Sequence, residues 1–506
     1  MRTPHSVKDS LEHPTTYGLR QKIGAVLGPL LLLLTWLAPA PAGMSDDAWR
    51  TAGVAALMAV WWISESVPIP VTALLPIVLF PLGELAPIRS IMPAYADPIV
   101  FLFLGGFLLA LAMERSGLHR RIAFGLIGIM GLKPRRIVAG FLIAAAFLSM
   151  WVSNTATALM MLPIALSVAA LVPDEGEAAN AARTFRVALL LAVAYGATTG
   201  GMGTLIGTPP NALLAGFMQR QYDVAIGFGQ WMLVGVPVVL LALPVVYVVL
   251  TRVAFRVGSA PLEEVGKLIA HEKRRLGAFA GAERIVAIVF TLTALGWVSR
   301  RWLTEISPMI SDTTIAIAGA VVLFMIPDPQ RPGRFVMSWD AAKALPWDVL
   351  LLFGGGLCLA GRVQDSGLSA WLGEQAVGLG GLPLVLTVAT VCFGILMLTE
   401  LTSNTATAAT FLPVIAAVAI SLGQHPLLLL VPTALAANCS YMMPVGTPPN
   451  AIVFGSRAIP LPVMARTGLW LNLLLVPLIV GVIWLLGPYV FGVQIDVLPE
   501  WVAAAP

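Results

Sequence analysis

Residues 149–163 read SMWVSNTATALMMLP, and residues 399–413 read TELTSNTATAATFLP. The two stretches share the phrase SNTAT, and each ends in Leu-Pro. A second shared phrase, GTPPNA, follows each of them, at 207–212 and at 446–451. Two polar phrases that recur in the same order in both halves of an apolar chain indicate a duplicated functional site.

The composition is that of a membrane protein. Of the 506 residues, 58% are hydrophobic and only 11% are charged, and the mean hydropathy is +0.88. These values lie outside the range of soluble globular domains. Apolar stretches recur along the whole chain, many of them long enough to cross a hydrocarbon core of ~30 Å with ~20 residues. We predict an all-α polytopic protein with about 11 transmembrane helices plus two re-entrant hairpins.

The positive charges indicate topology, because they are not gathered into a patch that would bind nucleic acid. With a cytoplasmic N-terminus, the basic clusters can all face the same side, which places roughly four-fifths of the positive charge inside, as the positive-inside rule expects. We therefore predict a multi-pass protein of the cell (inner) membrane, whose partners are the lipid bilayer and small ions rather than nucleic acid. The apolar stretch 23–38 could be a signal-peptide core, but the long polar tail before it favours a retained first helix.

Enzymatic chemistry has little support in the sequence. Three cysteines (Cys358, Cys392 and Cys439) lie in apolar stretches without metal-ligand or disulfide spacing, and the five histidines are scattered. A serine nucleophile at Ser153 or Ser403 would need a base, and neither phrase contains one. We therefore expect a protein that is not an enzyme.

The chain divides into two repeats around a charged connection. Phe103-Leu104-Gly105-Gly106 aligns without a gap on Phe353-Gly354-Gly355-Gly356, in the register that superposes the two SNT phrases. The predicted segments are an N-terminal tail with the first helix (1–50), repeat 1 (51–256), a cytoplasmic connection (257–284) and repeat 2 (285–506).

Each SNT phrase lies in the middle of a long apolar segment, about 137–171 in repeat 1 and about 384–422 in repeat 2. Such a segment could cross the membrane once or turn back at its polar centre. The first segment has basic flanks at both ends, which favours a re-entrant hairpin with both ends inside. An opened backbone at the tip is tolerated where it lines a protein cavity. The second segment has few positive flanks, so its ends are expected outside, and the two repeats are inverted.

Each GTPPNA phrase predicts a broken helix, at about 187–217 and about 426–455. Proline removes an amide donor, and the residue before proline is disfavoured in helical backbone. Thr208 and Thr447 should therefore lie in unwound backbone. Freed carbonyls with Ser and Asn oxygens suit Na⁺, whereas helix N-termini and hydroxyl donors suit a carboxylate. Neither phrase contains Lys or Arg, so bound cations would offset the charge of a dianion, which argues for obligatory coupling.

The paired phrases, together with the run WISESVPIPVTALLP at 62–76, closely resemble the divalent anion/sodium symporter family. The resemblance covers nearly the whole chain from about Thr51. It implies a homodimer in which a transport domain moves against a scaffold domain as an elevator. It also implies Na⁺-coupled symport of di- or tricarboxylates, for which succinate-like C4 acids are the leading candidates.

The resemblance also implies site residues, carried over motif by motif. The first sodium site would use Ser149, Ser153, Asn154 and Gly207, and the second Thr399, Thr402, Asn404 and Gly446. Substrate carboxylates would contact Asn154, Thr155, Thr208, Pro209, Ser403, Asn404, Thr405, Thr447 and Pro448.

Several alternatives stay open at this point. A sodium-independent anion exchanger could use the same scaffold, sulfate or citrate could replace the dicarboxylate, and a passive channel is a further reading. The number of sodium ions is not determined by the motifs. Glu65 and Glu400 are intramembrane acids, which often have a function, but Glu400 aligns with Met150 and so lies outside the symmetric site. The run Asn438-Cys439-Ser440-Tyr441 aligns with the smaller Thr199-Gly200-Gly201-Met202, which weakens strict equivalence of the two ion sites.

Overall fold

The structure is a computed structural model that describes residues 17–172, 179–258, 262–375 and 382–503. Within these ranges the regular structure is helical, apart from an isolated bridge between Pro327 and Phe335. The helices of the first half are α1 Leu19–Leu37, α2 Asp46–Ser64, α3 Ile69–Thr72, α4 Leu75–Leu82, α5 Ile88–Tyr95, α6 Pro98–Ser116, α7 Leu118–Met130, α8 Pro134–Ser149, α9 Asn154–Ala170, α10 Ala179–Gly201, α11 Pro209–Tyr222 and α12 Phe228–Val248.

The second half follows the same order after a short charged helix. Its helices are α13 Glu263–Arg275, α14 Gly281–Val298, α15 Arg300–Ile306, α16 Asp312–Met325, α17 Trp339–Ala342, α18 Trp347–Asp365, α19 Leu368–Gln375, α20 Leu384–Thr399, α21 Asn404–Ser421, α22 Leu427–Asn438, α23 Pro448–Gly455, α24 Leu461–Phe491 and α25 Glu500–Ala503.

Helices long and apolar enough to cross a membrane occur in both halves. In the part of the chain that the structure describes, 5 helical segments meet this criterion, and further apolar helices of 10–17 residues accompany them. The long segments are Ile88–Ser116, Phe228–Val253, Gly281–Val298, Asn404–Ser421 and Leu461–Phe491. The all-helical, multi-pass class predicted from composition is thus confirmed.

Both phrases interrupt helices, for local reasons that the sequence supplies. At the first SNT, α8 ends at Ser149 and α9 begins at Asn154, with the Ser153 hydroxyl accepting a hydrogen bond from the Ala156 amide at 3.2 Å. This is a conventional serine N-cap. At the first GTPPNA, Thr208 is extended (φ −145°, ψ 147°) and α11 begins at Pro209, a position that proline favours because its fixed φ suits the first helical turn.

The second repeat breaks at the equivalent residues. Helix α20 ends at Thr399 and α21 begins at Asn404. Thr447 is extended (φ −139°, ψ 148°), and α23 begins at Pro448. The predicted unwinding at Thr208 and Thr447 is therefore confirmed. Conformation at these positions follows from the proline that succeeds each threonine.

Helices of the two repeats pack against each other around the SNT and GTPPNA phrases. Helix α23 of the second repeat packs against α9 and α10 of the first, and α11 of the first packs against α21 of the second. At the centre, the Tyr195 and Tyr441 rings meet edge to face with centroids 5.2 Å apart. The Tyr195 hydroxyl also donates to the Tyr441 carbonyl at 2.8 Å. This crossing brings the phrases of both repeats to one place.

Candidate functional site

A cavity of about 790 Å³ lies where the four phrases meet. Most of the residues expected to bind sodium or substrate line it: Ser153, Asn154, Thr155, Gly207, Thr208, Pro209, Ser403, Asn404, Thr405, Gly446, Thr447 and Pro448. Ser149, Thr399 and Thr402 do not line it but are buried in the same SNT turns, with exposed fractions of 0%, 0% and 2%. The structure thus brings the two copies of each phrase to a single cavity.

The first SNT turn orients its asparagine through a serine. The Ser149 hydroxyl donates a short hydrogen bond to Oδ1 of Asn154. The Asn154 side chain also packs directly on the backbone of Gly201, where an added Cβ would lie 2.7 Å from Oδ1. The Asn154 side chain is therefore fixed from two sides, and its oxygen lies beside a hydroxyl oxygen.

The second SNT turn repeats this arrangement with threonine. The Thr399 hydroxyl lies 2.7 Å from Oδ1 of Asn404 and 3.0 Å from the carbonyl oxygen of Ala437. The Thr402 hydroxyl lies 2.6 Å from that of Thr407. Both turns thus gather uncharged hydroxyl and amide oxygens, which are hard donors of the kind that bind Na⁺.

The asparagine of each GTPPNA phrase stabilises the unwound segment before it, although it was not among the predicted site residues. Nδ2 of Asn211 donates to the carbonyls of Gly201 and Thr204 at 3.1 and 2.8 Å. Nδ2 of Asn450 donates to the carbonyls of Ser440 and Met443 at 3.0 and 3.1 Å. Buried carbonyls without helical partners need such donors. The signal was present in the sequence, because these residues are the Asn of GTPPNA.

Glu400 breaks the symmetry between the repeats. Its buried carboxylate, 3% exposed, accepts hydrogen bonds from the backbone amides of three successive residues, 441–443, at 2.7–3.0 Å. The Ser440 hydroxyl (3.0 Å) and Nδ2 of Asn472 (2.7 Å) donate to it as well. The aligned residue, Met150, uses its carbonyl oxygen to accept from the Thr204 hydroxyl. Glu400 therefore holds the unwound segment of the second broken helix.

The charges around the cavity are acidic or absent. Among the described residues that line it, none is Lys or Arg, whereas Glu65, Glu114 and Asp348 are acidic. Glu65 ends α2 in left-handed backbone (φ 51°) and lies 3.7 Å from the Arg20 guanidinium. Both side chains are about half exposed, so this pair contributes little. A dianion in the cavity would meet no fixed cationic side chain.

Helix N-termini supply the favourable potential for an anion instead. Helices α9, α11, α21 and α23 begin at Asn154, Pro209, Asn404 and Pro448, each of which lines the cavity. The first turn of a helix has a partial positive charge, which favours carboxylates. Helices α9 and α21 also offer free amides there, whereas the Pro-Pro starts of α11 and α23 lack N–H groups at their first two positions. Four such ends at one cavity suit a ligand with two carboxylates.

Transition-metal chemistry does not fit the donors at this site. Over the described ranges, no group of three or more His, Cys, Asp or Glu side chains could hold a metal ion. The oxygens at the SNT turns are hydroxyls, amides and carbonyls, which suit a hard monovalent cation.

Comparison with known proteins agrees with this site chemistry. Residues 21–493 match the family described as "Sodium:sulfate symporter transmembrane region". The sodium-dependent dicarboxylate transporter SdcS of Staphylococcus aureus strain USA300 is 44% identical over 486 residues, covering 94% of this chain and 93% of that protein. SdcS of Staphylococcus saprophyticus is 42% identical over 490 residues, covering 95% and 94%.

Two solved transporter structures share the fold at low sequence identity. MtrF of Neisseria gonorrhoeae matches with a TM-score of 0.57 and 12% identity, over 93% of this chain and 96% of that one. YdaH of Alcanivorax borkumensis matches with a TM-score of 0.54 and 15% identity, over 92% and 98%. The family assignment rests on the sequence match, which spans nearly the whole chain. This protein belongs to the sodium:sulfate symporter family.

Proposed function

We propose that this protein is a secondary active transporter that couples Na⁺ entry to the uptake of C4-type dicarboxylates such as succinate. The observation that carries the proposal is the cavity itself, which has four helix N-termini, neutral oxygen donors and no basic side chain among its described lining residues. The relatives named as sodium-dependent dicarboxylate transporters support the same substrate and ion.

Sodium is expected to bind first, at the two SNT turns. Its ligands would be the hydroxyl and amide oxygens of each turn with carbonyls of the facing unwound segment. The first site comprises Ser149, Ser153, Asn154 and Gly207, and the second comprises Thr399, Thr402, Asn404 and Gly446. With Na⁺ in place, the cavity carries the positive charge that a dianion needs, and this order makes the coupling obligatory.

The dicarboxylate would then bind between the two repeats, with one carboxylate near each SNT turn. Hydroxyl and amide donors of Asn154, Thr155, Thr208, Ser403, Asn404, Thr405 and Thr447 would bind its oxygens, and Pro209 and Pro448, which have no N–H, would contact the substrate without donating. Neutral donors recognise charge and length more than chemical detail, so related C4 acids should compete with one another.

Transport would proceed by an elevator-type movement of the helices that hold the phrases, against a scaffold that includes α1 and α2. Under the proposed topology, with a cytoplasmic N-terminus, Glu65 and Glu114 lie near the cytoplasmic ends of α2 and α6, so the cavity opens inward. The proposed architecture has about 11 transmembrane helices plus two re-entrant hairpins, 137–171 and 384–422, in inverted repeats 51–256 and 285–506. A homodimer completes the proposal.

The alternative is a sodium-independent exchanger on the same scaffold, or a transporter whose anion is sulfate or citrate. The family description, which names sulfate, is the observation that favours a second substrate. Exchange would be recognised by stimulation of uptake when dicarboxylate is present inside, with no need for Na⁺.

The test is uptake of radiolabelled succinate into proteoliposomes under an inward Na⁺ gradient, compared with an equal K⁺ gradient. Wild type, Asn154→Ala and Asn404→Ala are measured together with Asn180→Ala, which changes an exposed asparagine at the start of α10. We expect Na⁺-dependent uptake that persists in Asn180→Ala and is lost in the other two variants. Uptake that is indifferent to Na⁺ but stimulated by internal dicarboxylate would establish the exchanger instead.

A further inference from the structure

A hydrogen bond between two buried asparagines joins the broken helices of the two repeats, beside the contacts that Tyr441 makes with Tyr195 and Thr199. Nδ2 of Asn438, at the end of α22, donates to Oδ1 of Asn211 in α11 at 2.9 Å. Both residues are almost fully buried, with exposed fractions of 1% and 0%. Breaking this buried hydrogen bond is unfavourable, because Oδ1 of Asn211 would lose its donor, whereas Nδ2 of Asn438 would keep the Ala434 carbonyl as an acceptor.

Asn211 connects this bond to the first predicted sodium site. Its Nδ2 holds the carbonyls of Gly201 and Thr204, and the Thr204 hydroxyl accepts from the Gly207 amide at 3.0 Å. Gly207 is a predicted sodium ligand, and Gly201 packs on Asn154, which is another. Ordering of this segment by a bound ion would therefore fix the position of the Asn211 amide.

Asn438 connects the same bond to the second predicted sodium site. It directly follows Ala437, whose carbonyl oxygen lies 3.0 Å from the Thr399 hydroxyl. That hydroxyl also orients Asn404. The C-terminal turn of α22 thus links the Asn438 side chain to two predicted ligands of the second ion.

The bond has no symmetric counterpart in the described structure. The residue aligned with Asn438 is Thr199, and its hydroxyl lies 2.9 Å from the Tyr441 hydroxyl instead. Oδ1 of Asn450, the counterpart of the Asn211 acceptor, has no hydrogen-bond partner among the described residues. In the described structure this asparagine pair therefore forms on one side of the pseudo-symmetric arrangement, where it joins the end of α22 to the asparagine that holds the first unwound segment.

We infer that the Asn438–Asn211 hydrogen bond couples the two sodium sites, so that Na⁺ bound at one site favours Na⁺ binding at the other. The inference rests on the proposed sodium symport and adds a positioning role for Asn438, which was not among the predicted ligands. The physical basis of the coupling is conformational entropy. The first ion orders one unwound segment, and the hydrogen bond then also orders the end of α22. The second ion therefore loses less conformational entropy when it binds. By linkage, the effect is reciprocal between the sites.

The test is the Na⁺ dependence of the initial rate of succinate uptake in proteoliposomes. Wild type should give a Hill coefficient above one for Na⁺. In Asn438→Ala the Hill coefficient should fall to the value given by two independent sites that must both be filled, and half-activation should need about 5-fold more Na⁺, the lower end of usual coupling factors. Thr433→Val is the matched control, because Thr433 is a buried residue of the same helix whose hydroxyl has no partner among the described residues, so both values should stay at wild type.

A double-mutant comparison identifies the bond itself as the route. In an Asn211→Ala background, the added Asn438→Ala change should lower the Hill coefficient no further. An equal further decrease in that background, or an unchanged Hill coefficient in Asn438→Ala, would overturn the inference.

A second variant and a binding measurement keep the inference testable where Asn438→Ala folds poorly. Asn438→Thr introduces the residue that the first repeat carries, and Na⁺-dependent protection from thermal unfolding is followed without substrate. The inference expects a shallower dependence on Na⁺ concentration than in wild type, and an equally steep dependence would contradict it. Loss of Na⁺-driven uptake in the wild type would count against the proposed function, whereas normal uptake with unaltered variants would count against the coupling alone.

Discussion

The Thr399 hydroxyl lies 2.7 Å from Oδ1 of Asn404, which follows it by five residues in the chain. Ser149 makes the same contact with Asn154 in the other repeat. Each SNT asparagine is therefore oriented by a hydroxyl at the end of the preceding helix. The residue before each break therefore helps to position the asparagine of the motif.

Removal of this hydroxyl should weaken sodium activation. Thr399→Val keeps the shape of the side chain but leaves Oδ1 of Asn404 without its donor. We expect the Na⁺ concentration for half-maximal uptake to rise about 10-fold, which corresponds to ~1.4 kcal/mol, the size of one hydrogen bond. Thr399→Ser keeps the hydroxyl and should stay close to wild type. Equal sodium activation in the two variants would contradict the assigned role.

The close approach of Gly201 to Asn154 predicts that transport tolerates no side chain at this position. In Gly201→Ala the new Cβ would lie 2.7 Å from Oδ1 of Asn154 and would push it out of place. We expect loss of Na⁺-driven uptake with the protein still inserted in the membrane. Gly394→Ala is the control, because a Cβ at Gly394 meets nothing within 4 Å, and its uptake should match wild type. Both are measured in the same uptake assay, with the amount of protein determined by immunoblot.

The hydrogen bonds to Glu400 predict a stability role. Glu400→Gln places an amide donor where backbone amides of residues 441–443 and Asn472 already donate. We expect the free energy of unfolding to fall by about 2–4 kcal/mol, because the buried charge-assisted network loses one of its two acceptor oxygens to an NH₂ group. Thermal unfolding in detergent should show a lowered Tm.

Glu65→Gln is the control for this prediction. Glu65 is half exposed and weakly paired with Arg20, so Glu65→Gln should change the Tm little. An unchanged Tm in Glu400→Gln, or equal decreases in both variants, would show that the Glu400 network does not stabilise the fold.

The proposed inversion of the repeats predicts opposite exposure of two loop residues. Lys133 precedes α8, and Leu382 precedes α20, and both are exposed. In right-side-out vesicles, an impermeant thiol reagent should label Leu382→Cys at once but Lys133→Cys only after permeabilisation. The background should be low, because Cys358, Cys392 and Cys439 are buried. Labelling of both from the same side would contradict inverted repeats.

Much of the fold could be predicted from the sequence, because its causes are local. The SNT and GTPPNA phrases interrupt helices in both repeats. Ser153 caps α9, and proline disfavours helical backbone at the residue before it. The predicted unwinding at Thr208 and Thr447 needed no knowledge of the neighbouring chain. The split of 69–82 into α3 and α4 was less predictable, because tertiary packing decides it.

The contacts of the site were only partly predictable. The paired phrases identified the residues that line the cavity, but not that Ser149, Thr399 and Thr402 are buried beside it. Alignment of the two repeats showed that Glu400 has no acidic counterpart in the first repeat. It could not show which backbone amides donate to the Glu400 carboxylate. Those partners lie some forty residues away in the chain.

By itself, the sequence determined the class of protein, the places where helices break and the neutral oxygen chemistry of the site, because these follow from hydropathy, proline geometry and side-chain type. Only the tertiary structure decided that the breaks of both repeats meet at one cavity, and that Asn438 reaches Asn211 while its aligned residue Thr199 bonds to Tyr441. The physical reason is that a hydrogen bond depends on a few ångströms of separation between distant segments, and packing sets that separation.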